Sequence, residues 1–295
     1  SVKVPLGSVV ALVGPNGSGK TTLIKILSTL LLPTSGSAYV MGHDVVKDVK
    51  EVRRSIGLML TGERLFYYRL TGYENLLFFA TLYDMPLAEA KARARELLEA
   101  VGLGRWGDVQ YMKYSLGMQR RLALARALIH DPPVLLLDEP TLGMDPVSAR
   151  ELRGLIKVMA RDKAVLFTSH YMGEVEGLAD YIYVIKYGNI VARGTPQELK
   201  SMVGSVLEVR ARFDSVPRDL RRFVVFVRDS VAWLRVPKSM EGALGDGAEV
   251  VGEDQATLED VYAYLVGETP LEIDYRSRRG GWGGRGGWGG GWRWS

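Results

Sequence analysis

The stretch VVALVGPNGSGKTT, residues 9–22, decides the fold predicted for this chain. Its first five residues form a short apolar run, the pattern of a β-strand buried on both faces. The next eight residues match GxxxxGK[ST], in which glycines let backbone amides surround a phosphate and the following helix presents its N-terminal end. A strand before the match and a helical pattern after it argue against a chance glycine-rich turn. The stretch therefore predicts a nucleoside-triphosphate site.

The residues of this loop have distinct expected roles. Lys20 should reach the β- and γ-phosphates, and the Thr21 hydroxyl should ligate Mg²⁺. The remaining loop residues should hold the phosphates through their backbone. The expected nucleotide-binding residues are Gly14, Pro15, Asn16, Gly17, Ser18, Gly19, Lys20, Thr21 and Thr22.

A second buried-strand pattern, Val134 to Leu137, ends in two acids. Ligands of parallel sheets bind beyond the carboxyl ends of the strands, where the phosphate loop also lies. We therefore expect Asp138 to hold Mg²⁺ and Glu139 to polarise the attacking water. A pair of surface acids is the alternative, which the four apolar residues before them disfavour.

A third core strand is predicted at Ala164 to Phe167, followed by Thr168-Ser169-His170. At that strand end, His170 could donate a hydrogen bond to the γ-phosphate. From spacing alone, an exposed or purely structural histidine remains the alternative. His43 and His130 have no comparable setting, and we interpret both as surface residues.

A capped helix is predicted from Ser115 to about Ile129, because serine satisfies the free amides of a first turn. Leu122, Ala125 and Leu128 recur at helical spacing and indicate a buried face. Such a helix end could bind an anion. An ordinary capped helix without a ligand is the alternative that these residues alone leave open.

Composition limits the classes of function. The absence of cysteine excludes disulfides, zinc-thiolate sites and thiol catalysis. Five arginines and no acid lie in residues 276–295, so a chain of net charge +4 carries −1 outside that segment, and no nucleic-acid partner is expected. We find no apolar run of about 18 residues and no signal peptide. The chain begins with Ser1, so we expect further residues upstream.

The order of these motifs resembles the ATP-binding cassette (ABC) family, the ATPase subunits of membrane transporters. The resemblance runs from Leu6 to about Leu199 and is carried by GPNGSGKT, YSLGM, VLLLDE, TLGMD and His170, all in the expected order. It implies an α/β P-loop NTPase core, a RecA-like parallel sheet with a helical subdomain. The phrase PTSGSAYVMGHDV, residues 33–45, is similar to the drug- and antibiotic-exporter subclass.

The resemblance also implies roles for particular residues. Two cassettes would close head to tail around two ATPs with Mg²⁺, and Ser115 and Gly117 would contact the γ-phosphate held by the partner. Glu139 would be the general base, His170 the switch histidine, and Asp145 would lie in the loop crossing the dimer interface. The implied catalytic residues are Glu139, His170 and Lys20, and the implied metal-binding residues are Thr21 and Asp138.

Three features depart from the family pattern. In YSLGM, Leu116 replaces a glycine and Met118 a glutamine, although Ser115 and Gly117 remain. Thr61 occupies the register of a glutamine that contacts Mg²⁺ and water, and Glu63 is a weak candidate for that role. The family also stacks an aromatic residue on adenine, from a position that would precede Ser1.

The chain divides into three predicted parts. Residues 1–200 form the ABC ATPase domain, with a helical subdomain at about 65–113 in which Phe66 and Tyr67 are candidate contacts for a membrane subunit; plain core packing is the alternative there. Residues 201–267 form a small C-terminal α/β domain, similar to that of the exporter subclass. Residues 268–295 form a Gly/Trp/Arg-rich tail, predicted to be disordered, with membrane-surface or RNA contact as alternatives.

These expectations give one function and two rivals. The sequence favours an ATP hydrolase that powers export of a drug, antibiotic or lipid-like cargo through a separate polytopic permease. It would act as a homodimer or with a paired ABC subunit, at the cytoplasmic face of the membrane. A GTPase or small-molecule kinase is disfavoured because there is no NKxD motif. A non-transport ABC ATPase acting on ribosomes or DNA is disfavoured by the single phosphate loop and the lack of sustained heptads.

Overall fold

The fold is taken from a computed structural model that describes residues 1–61, 66–245 and 247–267. A six-stranded sheet forms its centre. The first five strands in spatial order are mutually parallel, and the last pairs antiparallel with its neighbour. That order is β4 (Ile56–Met59), β5 (Val134–Asp138), β6 (Ala164–Ser169), β1 (Val9–Val13), β7 (Tyr181–Lys186) and β8 (Asn189–Gly194).

In the described part of the chain, helices and a short hairpin flank this sheet. The hairpin consists of β2 (Tyr39–Val40) and β3 (His43–Asp44). The helices are α1 (Lys20–Leu27), α2 (Val49–Ser55), α3 (Gly72–Thr81), α4 (Leu87–Ala100), α5 (Leu116–Ala127), α6 (Pro146–Met159), α7 (Met172–Leu178) and α8 (Pro196–Val203). Short 3-10 turns lie at Gly104–Trp106 and Tyr111–Lys113.

Alternating residues of the central strands feed two separate cores, as a period of two requires. In β1, Val9, Ala11 and Val13 join a core with helices α3 to α7. Val10 and Leu12 point to the opposite face and join the smaller core with α1 and α2. Burial of both faces explains the uninterrupted apolar runs, so the predicted α/β class is confirmed.

The region between β4 and α5 is helical, as predicted, but two details of that prediction are wrong. Helical spacing puts Leu87 on the same face as Ala90 and Ala94 and so predicts its burial, yet it opens the helix directly after Pro86 and is 59% exposed. Phe66 was a candidate surface contact, yet it is 6% exposed and packs against Phe79 and Tyr111. Helical periodicity and aromatic composition identify apolar residues without fixing which of them has a packing partner.

A second sheet follows α8. Its strands are β9 (Ser205–Arg212), β10 (Val224–Arg228), β11 (Val231–Pro237) and β12 (Glu249–Gln255), all antiparallel in the order β10-β11-β9-β12. Short 3-10 segments connect them at Phe213–Ser215, Arg218–Phe223 and Lys238–Ala243. The apolar patterns of the sequence predict strands at Phe223–Val227 and Val231–Val236, and the structure confirms both to within one residue. The predicted domain boundaries at residues 200 and 267 stay predictions.

The last described helix, α9 (Leu258–Val266), is shared between the two sheets' cores. Leu258, Val261 and Val266 belong to the large core that includes α7, and Ala263 belongs to the core of the second sheet. A capping box at Thr257 and Asp260 starts this helix. The second sheet is therefore held against the core of the six-stranded sheet by buried apolar side chains.

Two predicted features lie outside the described residues, namely the tail at 268–295 and the candidate Glu63. Within the described part of the chain, no helix combines the length and the apolar character needed to cross a membrane.

His130 is not the surface residue that the sequence suggested. Its ring stacks on Tyr83 at 3.8 Å between centroids, and Nε2 lies 3.1 Å from the Ile56 carbonyl oxygen. Burial lowers the pKa of His130 to about 4, against the opposing effects of the hydrogen bond and of Asp131, while Lys163 lowers it further. The residue is therefore a neutral contact between the helical region and the sheet.

This contact predicts a specific pH dependence of stability. As the pH falls, His130 becomes protonated at a higher pH in the unfolded chain than in the folded chain, because its pKa is lower in the folded state. The contribution of neutral His130 to the free energy of unfolding is therefore complete above about pH 6.5 and is lost as the pH approaches about 4. In His130→Gln, the urea midpoint should fall less between about pH 7 and about pH 5 than in the wild type. His43→Gln is the control. If the urea midpoint of His130→Gln depended on pH as strongly as that of the wild type, the assignment would be contradicted.

Candidate active site

The loop after β1 has the backbone of a phosphate cradle. A Cβ on Gly14 would lie 2.2 Å from the Ile185 carbonyl oxygen, so no side chain fits there. Gly17 and Gly19 have φ values of +76° and +105°, which glycine adopts without steric cost. Gly19 is also the N-cap of α1, so the loop leads directly into the free amides of that helix.

Lys20 and Ser18 are polar residues buried in this loop. Lys20 Nζ donates to two carbonyl oxygens of the loop, at 2.8 and 3.0 Å. Burial lowers the pKa of Lys20, and the nearby Glu139 and Asp138 carboxylates oppose that effect. Ser18 Oγ has no hydrogen-bond partner among the described residues. A bound phosphate would give both side chains anionic partners, so the loop fits that group.

Asp138 connects the phosphate loop, which follows β1, to β5, which lies on the far side of β6 in the sheet. It ends β5, is 3% exposed, and accepts hydrogen bonds from Thr21 Oγ1 at 3.0 and 3.2 Å. A hydroxyl, a carboxylate and nucleotide phosphates are the donor set that Mg²⁺ takes in nucleotide sites. No three His, Cys, Asp or Glu residues of the described chain cluster to hold a metal ion by themselves. The residues therefore fit a nucleotide-bound Mg²⁺.

Glu139 and His170 meet at the same edge of the sheet. His170 Nδ1 lies 3.0 Å from Glu139 Oε2, although the ring nitrogen lacks hydrogen-bond geometry toward any described residue. The Glu139 side chain is 16% exposed and that of His170 is 40% exposed. Glu139 has a φ of +44°, a conformation that side chains rarely adopt and that concentrates at functional sites.

The contacts of two threonines at this edge were not predicted from the sequence. Thr168 Oγ1 donates to Asp138 Oδ1 at 2.7 Å and accepts from the Glu139 amide at 3.0 Å. Thr61, in the register of the absent glutamine, donates to the Asp138 carbonyl oxygen at 2.5 Å. Thr61 thus binds backbone, and Glu63 lies outside the described residues. Thr168 could have been found from the alignment of parallel strand ends, since it pairs in register with Asp138.

The head of α5 forms a separate group. Ser115 is the N-cap, and its hydroxyl accepts from the Met118 amide at 3.3 Å. A Cβ on Gly117 would lie 3.4 Å from Ser148 Oγ, so this end of α5 borders the start of α6. Leu116 is 41% exposed. The predicted cap is present despite the altered spelling of the motif.

Asp145 caps α6 beside this group. Its Oδ1 accepts from the amides of Val147 and Ser148 at 3.1 and 3.0 Å. Hydrogen bonds from Ser148, and then from Val147, lower the pKa of Asp145, so the side chain is an ionised cap. The loop from Glu139 to Asp145 therefore links the β5 edge to the helix ends near Ser115.

The predicted residues thus fall into two groups within one chain. Close polar contacts bring together Thr21, Asp138, Glu139 and His170, either directly or through Thr168. Lys20 bonds to carbonyl oxygens of its own loop and lies near enough to Glu139 and Asp138 for their charges to act on it. Among the described residues, no hydrogen bond joins Ser115 or Gly117 to the phosphate loop. A phosphate loop followed by a buried aspartate and a glutamate at a parallel sheet edge defines a P-loop nucleoside triphosphatase.

Comparison with known proteins identifies the family. The model of the ABC transporter family matches residues 1–142. The ATP-binding protein NatA of Bacillus subtilis is 40% identical over 200 residues, which cover 68% of this chain and 81% of the relative. The daunorubicin/doxorubicin resistance ATP-binding protein DrrA of Streptomyces peucetius is 36% identical, with 92% and 84% covered. The chain belongs to the ABC transporter family, as an ATP-hydrolysing ATP-binding subunit.

Solved structures agree with this assignment. A dimeric post-hydrolysis ATP-binding cassette bound to ADP and Pi is 28% identical, with a TM-score of 0.59 over 66% of this chain and 88% of that one. The protein cbiO1 of Clostridium perfringens, part of the ABC transporter complex cbiONQ, has a TM-score of 0.62 at 28% identity, with 68% and 82% covered. The predicted P-loop ABC ATPase fold is confirmed.

The Thr168 contacts generate a prediction about catalysis. Thr168→Val keeps the side-chain shape and removes the hydroxyl that orients Asp138 and the Glu139 amide. Loss of such an outer-shell partner should lower kcat by about 10–100-fold. Steady-state phosphate release would measure kcat, and a fluorescent ATP analogue would check that nucleotide binding is retained. Thr168→Ser should stay close to the wild type, and equal kcat for the valine and serine variants would overturn the role.

Proposed function

We propose that this ATPase works as a head-to-tail pair of cassettes that powers export through a separate membrane permease. The observation that carries the proposal is the separation of the two groups of site residues. The phosphate loop with Asp138, Glu139 and His170 forms one half of a site. The N-terminal end of α5 can also bind an anion, but among the described residues no hydrogen bond joins it to the phosphate loop of the same chain. A second cassette would supply what each half lacks.

Each residue then has a place in the composite site. The backbone and side chains from Gly14 to Thr22 hold the phosphates, and Lys20 exchanges its contacts with loop carbonyls for phosphate oxygens. Ser115 and Gly117 of the opposite cassette contact the γ-phosphate at the free amides of α5. Asp145, at the adjoining start of α6, lies in the loop that faces the partner. The ADP-bound relative is itself a dimer, which supports this arrangement.

The hydrolytic step assigned to this site is an in-line displacement. Glu139 orients the attacking water and accepts its proton, while the bond between the γ-phosphorus and the β–γ bridging oxygen breaks. Lys20 stabilises the charge that develops on the phosphates. His170, whose Nδ1 lies 3.0 Å from Glu139 Oε2, holds the carboxylate in position and faces the γ-phosphate. Mg²⁺, held through Thr21 and Asp138, would neutralise phosphate charge.

The transport part of the proposal rests on relatives. DrrA of Streptomyces peucetius and LnrL of Bacillus subtilis are named for resistance to daunorubicin/doxorubicin and to linearmycin. We infer a cargo of the same kind, a drug, antibiotic or lipid-like molecule. We place the chain at the cytoplasmic face of the membrane, held there by its permease. Ribosome- or DNA-directed function is not supported by these relatives.

The proposed dimer can be tested with a hydrolysis-deficient variant. Glu139→Gln should bind Mg-ATP, hydrolyse it slowly and accumulate the closed state. Size-exclusion chromatography should show a dimer with Mg-ATP and a monomer without nucleotide. Adding Ser115→Ala should weaken the dimer, because the γ-phosphate loses a contact across the interface.

The control for this test is Ser201→Ala, which changes an exposed serine of α8 whose hydroxyl bonds only to the Gln197 carbonyl oxygen. That variant should leave the ATP-dependent dimer intact. A dimer that forms equally well with alanine at position 115 would rule out the role of the α5 end.

The permease surface predicts a contrast between neighbouring aromatic residues. Tyr67 and Tyr68 are 53% and 51% exposed, whereas Phe66 is buried. The double change of Tyr67 and Tyr68 to alanine should abolish co-purification with the permease and leave ATP binding unchanged. Phe66→Ala should instead destabilise the chain by about 3–5 kcal/mol. Thermal denaturation separates the two effects, and intact co-purification of the double variant would refute the docking surface.

A further inference from the structure

Glu174 is a buried carboxyl group that the hydrolytic step does not use. It lies in the first turn of α7, four residues after His170, and is 3% exposed. Burial raises the pKa of Glu174, and hydrogen bonds from Ser169 and Thr141 oppose the shift. Burial of an acid costs free energy unless hydrogen bonds or an ion pair compensate for the lost water.

Its two carboxylate oxygens bind hydroxyls from two different loops. Oε1 accepts from Thr141 Oγ1 at 2.7 Å, and Oε2 accepts from Ser169 Oγ at 2.6 Å. Both distances are those of strong, charge-assisted hydrogen bonds. Glu174 is therefore a bridge of two short bonds between segments that are remote in sequence.

Each of these segments leads to a residue of the proposed composite site. Thr141 lies between Glu139 and Asp145, and its carbonyl oxygen accepts from the Met144 amide, which shapes the turn before Asp145. Ser169 is the last residue of β6 and directly precedes His170. Ser169 Oγ also accepts from the Tyr171 amide at 3.0 Å, which fixes the chain on the far side of His170.

We propose that Glu174 is a positioning residue that couples the Asp145 loop to His170. The inference rests on the proposed head-to-tail dimer, in which the Asp145 loop faces the partner and His170 faces the γ-phosphate of its own chain. When the partner closes on the Asp145 loop, the Thr141–Glu174–Ser169 bridge transmits the displacement to the His170 backbone. Arrival of the partner and alignment of Glu139 with water then become one event.

A double-mutant cycle tests this coupling in the full chain. Thr141→Val and Ser169→Ala each break one bond of the bridge, and each should lower kcat by up to about 100-fold without raising KM. The double variant should lose no more than the worse single variant, because either break disconnects the bridge. In a Glu174→Ala background neither change should lower kcat further.

Conservative and matched variants separate coupling from folding. The amide of Glu174→Gln can still bond to both hydroxyls, so this variant should retain most of the wild-type kcat. Glu176, on the same helix, pairs with Lys200 and touches neither loop, so Glu176→Gln is the control with unchanged kcat. All rates are counted per nucleotide-binding site, and thermal denaturation confirms folding of each variant. Additive losses from Thr141→Val and Ser169→Ala would overturn the coupling.

A second measurement, independent of turnover, distinguishes this inference from the dimer itself. In the Glu139→Gln background, Glu174→Ala should raise the ATP concentration needed for dimerisation by about tenfold, because closure no longer organises the His170 loop. If Glu139→Gln fails to dimerise with ATP at all, the proposed dimer is wrong. If it dimerises equally well with and without Glu174→Ala, the dimer stands and the coupling is wrong.

Discussion

The hydrogen bond from Thr168 to Asp138 is 2.7 Å long and joins two neighbouring parallel strands. The catalytic edge, meaning the carboxyl ends of the strands that lead to Asp138, Glu139 and His170, depends on this contact. The contact exists because Asp138 pairs in register with Thr168, while Thr168 also pairs with Leu12 just before the phosphate loop. A slip of one residue would turn every one of these side chains to the other face of the sheet. The two apolar cores prevent that slip, so burial of valines and leucines sets the position of the Asp138 carboxylate.

The sequence was informative where chemistry is encoded locally. The phosphate loop, the strand ending in Asp138 and the Ser115 cap each lie within about ten residues of the chain, so spacing alone identified them. Thr168 and Glu174 acquire their roles from partners about 30 residues away, and no local pattern records such a contact. The errors at Leu87, Phe66 and His130 have one cause, because an apolar or aromatic residue does not say which neighbour will cover it. The domain limits and the tail remain predictions.

Polar groups at the catalytic edge are held in place by neighbouring groups of the protein itself. Asp138 takes bonds from two threonines, and Glu139 keeps an unfavourable backbone conformation that its amide contacts with Thr168 maintain. Lys20 is desolvated yet lies near two carboxylates. Such preorganisation means that little reorientation is left for the moment of reaction, and it gives electrostatic stabilisation its strength in a site of low dielectric constant.

Helix α9 has a consequence for how this architecture can change over evolutionary time. Its Leu258, Val261 and Val266 complete the core that α7 and α8 share with the central sheet, while Ala263 closes the second sheet. Helix α9 is thus part of the hydrophobic core of the ATPase rather than a separate addition to it. Recombination that exchanged the C-terminal segment between relatives would have to keep these apolar contacts of α9, or exchange α7 and α8 together with it. The segment and the helices α7 and α8 that it covers therefore form one packing unit, in which a change of apolar side chains on one side needs a matching change on the other.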